Sequence, residues 1–227
     1  MKNFILQDPK LLLYGFFIIF FASFGQTFFI SLFSDSIREH YKLTDGNFGL
    51  IYAISTTLSS IALISFAKLI DRIDLRIYSF LVSIGLFAAC FGMFIFFNNI
   101  FFLFLIIFAL RFFGQGAMTH AGETTMARYF GENRGKAISF STFGGMIGVM
   151  FLPFIVVKLT HSIGDQNVWL IASLSLLFFI PFIFFILKGQ NERQKNFKEK
   201  TILDPNSKKW RTRDVLIDKK FYIYLPY

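Results

Sequence analysis

Six apolar runs of about twenty residues, parted by short polar connectors, constrain this chain more than any other feature. They occupy residues 11–33, 47–66, 77–96, 100–118, 137–157 and 168–187. A helix needs about 20 apolar residues to cross the hydrocarbon core of a bilayer. In lipid, every backbone N–H and C=O must be satisfied within its own helix, so each run predicts one transmembrane helix. Composition agrees. The chain is 55% hydrophobic and only 16% charged, with Phe at 35 positions, where a soluble domain carries about 25% charged residues. The first run is too long for a cleaved signal peptide and lacks a small-residue cleavage site, so it stays as a span. The expected fold class is an all-α membrane protein, with residues 1–187 as a six-helix bundle.

The formal net charge of +9 invites a nucleic-acid reading, which its distribution opposes. Eleven Lys and Arg lie in 188–220, beyond the last span. With the N-terminus assigned to the cytoplasm, nineteen cations fall on that side of the membrane. Only Arg38, Lys42 and Lys158 fall on the other. Such asymmetry is the positive-inside rule, and it puts both termini in the cytoplasm. The cations are topological, and nucleic acid is not an expected partner. Cys90 is the one cysteine and has no partner for an internal disulfide. No Cys/His spacing suits a metal, and nothing in the sequence calls for a cofactor.

The connector 67–76 reads AKLIDRIDLR. A short link between two spans carries Lys68, Asp71, Arg72, Asp74 and Arg76 together. The spacing G-x-x-x-D-R-x-G-x-R is the loop signature of the major facilitator superfamily, and this segment resembles it. Asp71, Arg72 and Arg76 match; Ala67 and Asp74 stand where the family has glycine. The resemblance, which covers residues 11–187, implies a secondary transporter built as the N-terminal six-helix half of a twelve-helix fold. It also implies two inverted three-helix repeats within that half. Three short matches agree with duplication. Phe24-Gly25-Gln26 recurs as Phe113-Gly114-Gln115, 89 residues later. Tyr41 recurs as Tyr129, and IYAIST (51–56) as AISFST (137–142).

Past the last span, 188–220 is expected to be a basic cytoplasmic linker, part of it an amphipathic helix on the membrane surface. The final residues 221–227, FYIYLPY, look like the start of a seventh span. The expectation is therefore a chain that stops partway through a longer protein, with a C-terminal six-helix half as its missing partner. The location this implies is the bacterial inner membrane.

Candidate functional residues are few. Arg111 is the ionisable residue deep within a span, where Arg costs about 2.5–3.5 kcal/mol on insertion scales. Such a residue faces a wet cavity or a partner. It predicts either a cation for an anionic substrate or a structural Arg bonded to nearby carbonyls. RFFGQGA (111–117) also resembles the family's fourth-span motif of Arg followed by glycines. Gln26 and Gln115 can donate and accept hydrogen bonds in a dry site, and the repeat would set them facing each other. Their other reading is interhelical glue, worth about 0.6 kcal/mol per bond. In the family, an acid near the end of the fourth span pairs with the loop arginines. The resemblance gives that part to Glu123, with Arg72 or Arg76 as partner and Asp71 as a helix cap. His120 is a lone histidine with no relay around it.

Gly144 and Gly148 form a GxxxG face for close helix packing. Pro153 lies too far beyond Gly148 for the fifth-helix pattern of drug antiporters, which disfavours a multidrug function. The substrate expected is a small polar solute, an organic anion of the monocarboxylate kind. An intramembrane enzyme would need a nucleophile with its base, or a metal. No such motif is present, so it ranks below a non-catalytic six-helix protein.

Overall fold

The computed structural model describes residues 6–95, 99–203 and 217. Among these residues six helices are long and apolar enough to cross a membrane: Pro9–Ser31, Asp45–Asp71, Leu75–Ile95, Ile100–Tyr129, Gly131–Ile163 and Asp165–Ile186. They are spans 1 to 6 below. Residues 1–190 form one compact unit; 191–227 form a second. In the tail, Gln190–Leu203 is helical. The expected start of a seventh span, 221–227, lies outside the described residues.

Spans 1 and 5 pack along their length, as do spans 3 and 6; span 4 touches spans 1, 2, 3 and 5. Lipid offers no hydrophobic push between helices, so close contact comes from small residues that let backbones approach. Gly144 shows how close. A Cβ there would lie 2.1 Å from the Phe16 carbonyl oxygen, and one on Gly148 would lie 2.1 Å from Ser23 Oγ. The two FGQ motifs meet in the same way. A Cβ on Gly25 would lie 2.1 Å from the Leu110 carbonyl oxygen, and one on Gly114 would lie 2.6 Å from Gly25 Cα. Outward faces carry large apolar side chains, such as Leu50, Ile54, Ile61 and Ile64 on span 2. In a bilayer these need no cover.

Three expectations about the spans need correction. The first is that residues 11–33 form one continuous helix. The α-helix stops at Ala22, a tight turn covers Ser23–Gly25, and helix resumes at Thr27. Gln26 lies between, extended at φ −78°, ψ 153°. The second is that residues 119–136, between the fourth and fifth apolar runs, lie outside the helices. Helix instead continues to Tyr129. Residues 119–129 are polar on average, yet Ala121, Gly122, Thr125 and Met126 form a buried stripe. Packing of that stripe against spans 1 and 5 holds the helix. The third is a connector over 158–167. The fifth helix runs to Ile163, and Gly164 alone makes the turn, at φ +81°. That value lies in a region costly for residues with a Cβ.

Side-chain contacts define the two ends of the bundle. At one end Arg128 meets Asp71, Asn133 reaches Gln7 at 3.4 Å, and Gln190 donates to Tyr129 Oη at 2.7 Å. We call this the charged end. At the other, Arg38 pairs with Asp35 and Asp45, and Ser36 donates to Asp165.

Candidate functional site

Span 4 holds Arg111, Gln115 and Glu123, and its backbone is unusual near the first two. Leu110–Met118 is π-helical. A π-helical turn accommodates an extra residue in a helix and is frequent at functional sites. Gly114 and Gly116 suit such a stretch because they present no Cβ to the neighbouring spans. Arg111 stands at its start, buried, with 6% of its surface exposed. Its Nη1 donates to the Gly25 carbonyl at 3.2 Å and to Thr27 Oγ1 at 3.0 Å. The guanidinium carbon lies 5.4 Å from the centre of the Tyr52 ring, within cation–π range. Tyr52 Oη donates in turn to Thr27 Oγ1 at 3.0 Å. Arg111 Nε has no partner. The broken turn of span 1 explains the first bond. Unwinding at Gly25–Gln26 frees a carbonyl that a continuous helix would have consumed.

A cavity of about 440 Å³ opens beside the same break. Spans 1, 4 and 5 line it. Gln26, Thr119, Glu123 and Thr142 supply polar groups, while Phe28, Met146, Val149 and Met150 supply much of the apolar wall. Gln26 and Glu123 thus share one cavity. Gln115 is not among its lining residues. Its Oε1 is buried without a hydrogen-bond partner, and the Gly25–Gly114 backbone contact lies between the two FGQ segments. Arg111 is also absent from the cavity wall.

The elbow at the charged end is built differently from expectation. Asp71 does not cap a helix; it accepts from Arg128 Nη2. Arg128 Nη1 reaches the Ile70 carbonyl at 3.5 Å. The cap is Asp74, which stands where the family has glycine. Its Oδ1 accepts the backbone N–H of Arg76 at 2.7 Å and Arg76 Nε at 2.9 Å. Its Oδ2 accepts Arg76 Nη2 at 2.8 Å. This is a bidentate pair with a backbone donor added. The Arg76 side chain, followed by its backbone N–H, holds the Asp74 carboxyl below the usual carboxylate range despite partial burial. Arg76 is therefore engaged two residues away. Glu123, exposed in the cavity, makes no ion pair among the described residues, and the expected pairing with Arg72 or Arg76 is not formed. Arg72 is exposed at the end of the turn.

The family model of the Major Facilitator Superfamily matches residues 15–225. The chain belongs to the major facilitator superfamily. No curated protein and no solved structure matches. Membership makes this an integral membrane protein of a transporter family, as the six apolar helices require. Reading the sequence missed Arg128 as the partner of Asp71, Thr27 and Tyr52 around Arg111, and Thr119 and Thr142 in the cavity. Only the Asp74 cap had a local signal, an Asp two residues before Arg76 at a helix start.

Proposed function

We propose that this superfamily member is a secondary transporter that carries a small polar solute by alternating access. The observation that carries the reading is the interruption of span 1 at Gln26, on the wall of the cavity shared with Glu123, Thr119 and Thr142. Discontinuous helices beside a mid-membrane cavity form solute sites in secondary transporters, because unwound backbone exposes groups that a helix would hide. Gln26 is the proposed solute contact. The elbow of Asp71, Arg72 and Arg76 is proposed to govern conformation. Its working pair is Asp71–Arg128, which ties the turn after span 2 to the end of span 4. The Gly25–Gly114 contact supports an inverted-repeat relation between spans 1–3 and 4–6. The proposed setting is a bacterial inner membrane with both termini cytoplasmic. A second six-helix half would complete the cavity, and no nucleic acid is involved.

An organic anion is the second reading. It is favoured by Arg111, whose Nε has no partner while Nη1 is held by Gly25 and Thr27. A carboxylate approaching that edge would gain a charge-assisted bond.

The test is uptake into proteoliposomes by the wild type and by Met146→Trp, over a panel of labelled amines, monocarboxylates and sugars. Met146 is 60% exposed and lines the cavity, so Trp fills space without disturbing the core. At least one solute should enter with the wild type, and Met146→Trp should cut its uptake by about tenfold. Undiminished uptake with the blocked cavity would move the pathway elsewhere.

A further inference from the structure

We propose that the cavity between spans 1, 4 and 5 takes an organic cation, an ammonium group carried on a compact apolar body, with Glu123 as its counter-charge. The proposal deepens the transport reading and rests on that cavity. Among the described residues, Glu123 is the only ionisable side chain on the cavity wall. It is exposed to the cavity and makes no ion pair or hydrogen bond among the described residues. The cations that might neutralise it are committed elsewhere. Arg111, twelve residues before Glu123 on span 4, is held by Gly25, Thr27 and Tyr52 and is not on the cavity wall. Arg128 is on Asp71, and Arg76 is on Asp74. His120, one turn before Glu123, contacts Thr124 through its ring nitrogens at 3.3 and 3.5 Å.

The rest of the wall suits the other end of such a solute. Ile19, Phe28, Val149 and two methionines present aliphatic, aromatic and thioether surface. Methionine adapts its shape to irregular partners, and an aromatic ring near an ammonium group adds cation–π attraction. The polar groups that flank Glu123, from Gln26, Thr119 and Thr142, can accept N–H donors. A volume of about 440 Å³ holds one small ligand of this kind. An anion would instead meet an unneutralised carboxylate at close range.

The probe is benzyltrimethylammonium, whose charge does not change with pH. Its binding is measured by isothermal titration with the full chain in lipid nanodiscs, beside benzoate and neutral benzyl alcohol. The cation should bind, and Glu123→Gln should weaken it by about tenfold or more. Glu132→Gln, an exposed change outside the cavity, should leave affinity within twofold. Met146→Trp, which narrows the cavity and keeps the charge, should also weaken binding. Two results would overturn the proposal. One is tighter binding of benzoate than of the cation, lost in Arg111→Gln. The other is cation affinity unchanged in Glu123→Gln. If Met146→Trp blocks uptake of a solute while Glu123→Gln leaves cation binding intact, the transport reading stands and this one falls.

Discussion

Adding one methyl group at Gly114 should separate the two central helices of the bundle. A Cβ there would lie 2.6 Å from Gly25 Cα and 2.9 Å from Gly25 N. Both are backbone atoms, so no side chain can swing aside. Ordinary carbon–carbon contact is about 3.5–4.0 Å, so spans 1 and 4 must part locally by about 1 Å. Overpacking of this sort costs about 1–3 kcal/mol. The expected loss in Gly114→Ala lies at the upper part of that range. The Arg111 bonds to Gly25 and Thr27, at 3.2 and 3.0 Å, would stretch with the same movement. Gly116→Ala is the matched control. Its new Cβ meets Leu63 Cδ2 at 3.0 Å, the far end of a flexible side chain. Gly49→Ala is the open-space control, with nothing within 4 Å, and should stabilise span 2 by about 0.5–1 kcal/mol. Equilibrium unfolding in mixed micelles, followed by circular dichroism, gives all three. If Gly114→Ala is no worse than Gly116→Ala, the close approach of the two FGQ segments is not what holds spans 1 and 4 together.

Three further outcomes follow from the charged end and the buried Arg. Asp71→Asn should lower transport rate more than apparent affinity. Arg128→Gln should do the same, and the double variant should be no worse than either; full additivity in initial-rate assays would separate the two residues. For Asp74, the depressed carboxyl contributes stability above the ordinary carboxylate range near pH 4, and loses it as pH falls through the folded value. Asp74→Asn should thus be less stable at pH 7, by up to about 1 kcal/mol for a partly exposed pair, and the difference in thermal unfolding should shrink as pH falls below the ordinary carboxylate range. A pH-independent difference would contradict the pairing with Arg76. Replacing Tyr52 with Leu removes the ring beside Arg111 and the donor to Thr27. It should destabilise the bundle by about 1–2 kcal/mol, and in an Arg111→Gln background only the part due to the Thr27 hydrogen bond should remain.

The six spans were legible because runs of apolar residues satisfy the bilayer by composition alone. The elbow's charges were legible too, but its pairings were not. Asp71 meets Arg128, 57 residues on, and no local pattern announces a partner at that distance. Asp74 was read as a departure from a glycine position, whereas its carboxylate takes the role expected of Asp71. The break in span 1 had no signal. FGQTF carries no proline to mark a break, and Gly114 packs against Gly25 there from another span. The helical extension to Tyr129 was hidden for the opposite reason. Its sequence is polar on average, and only the packed face of Ala121, Gly122, Thr125 and Met126 keeps it helical. Glu123 lies on span 4 because the helix continues past residue 118. The extension carries it into the cavity wall and not into a loop.

Transport through the cavity beside Gln26 requires that cavity to be an aqueous pathway that opens and closes. Thr142→Cys places a thiol on its wall, and the native Cys90 is fully buried, so the wild type serves as the blank. Labelling by a membrane-impermeant maleimide in sealed vesicles of each orientation is the direct measurement. Thr142→Cys should react from the aqueous phase well above the blank, and more slowly when a transported solute is present. Labelling at the rate of the blank from both sides, with or without solute, would contradict it.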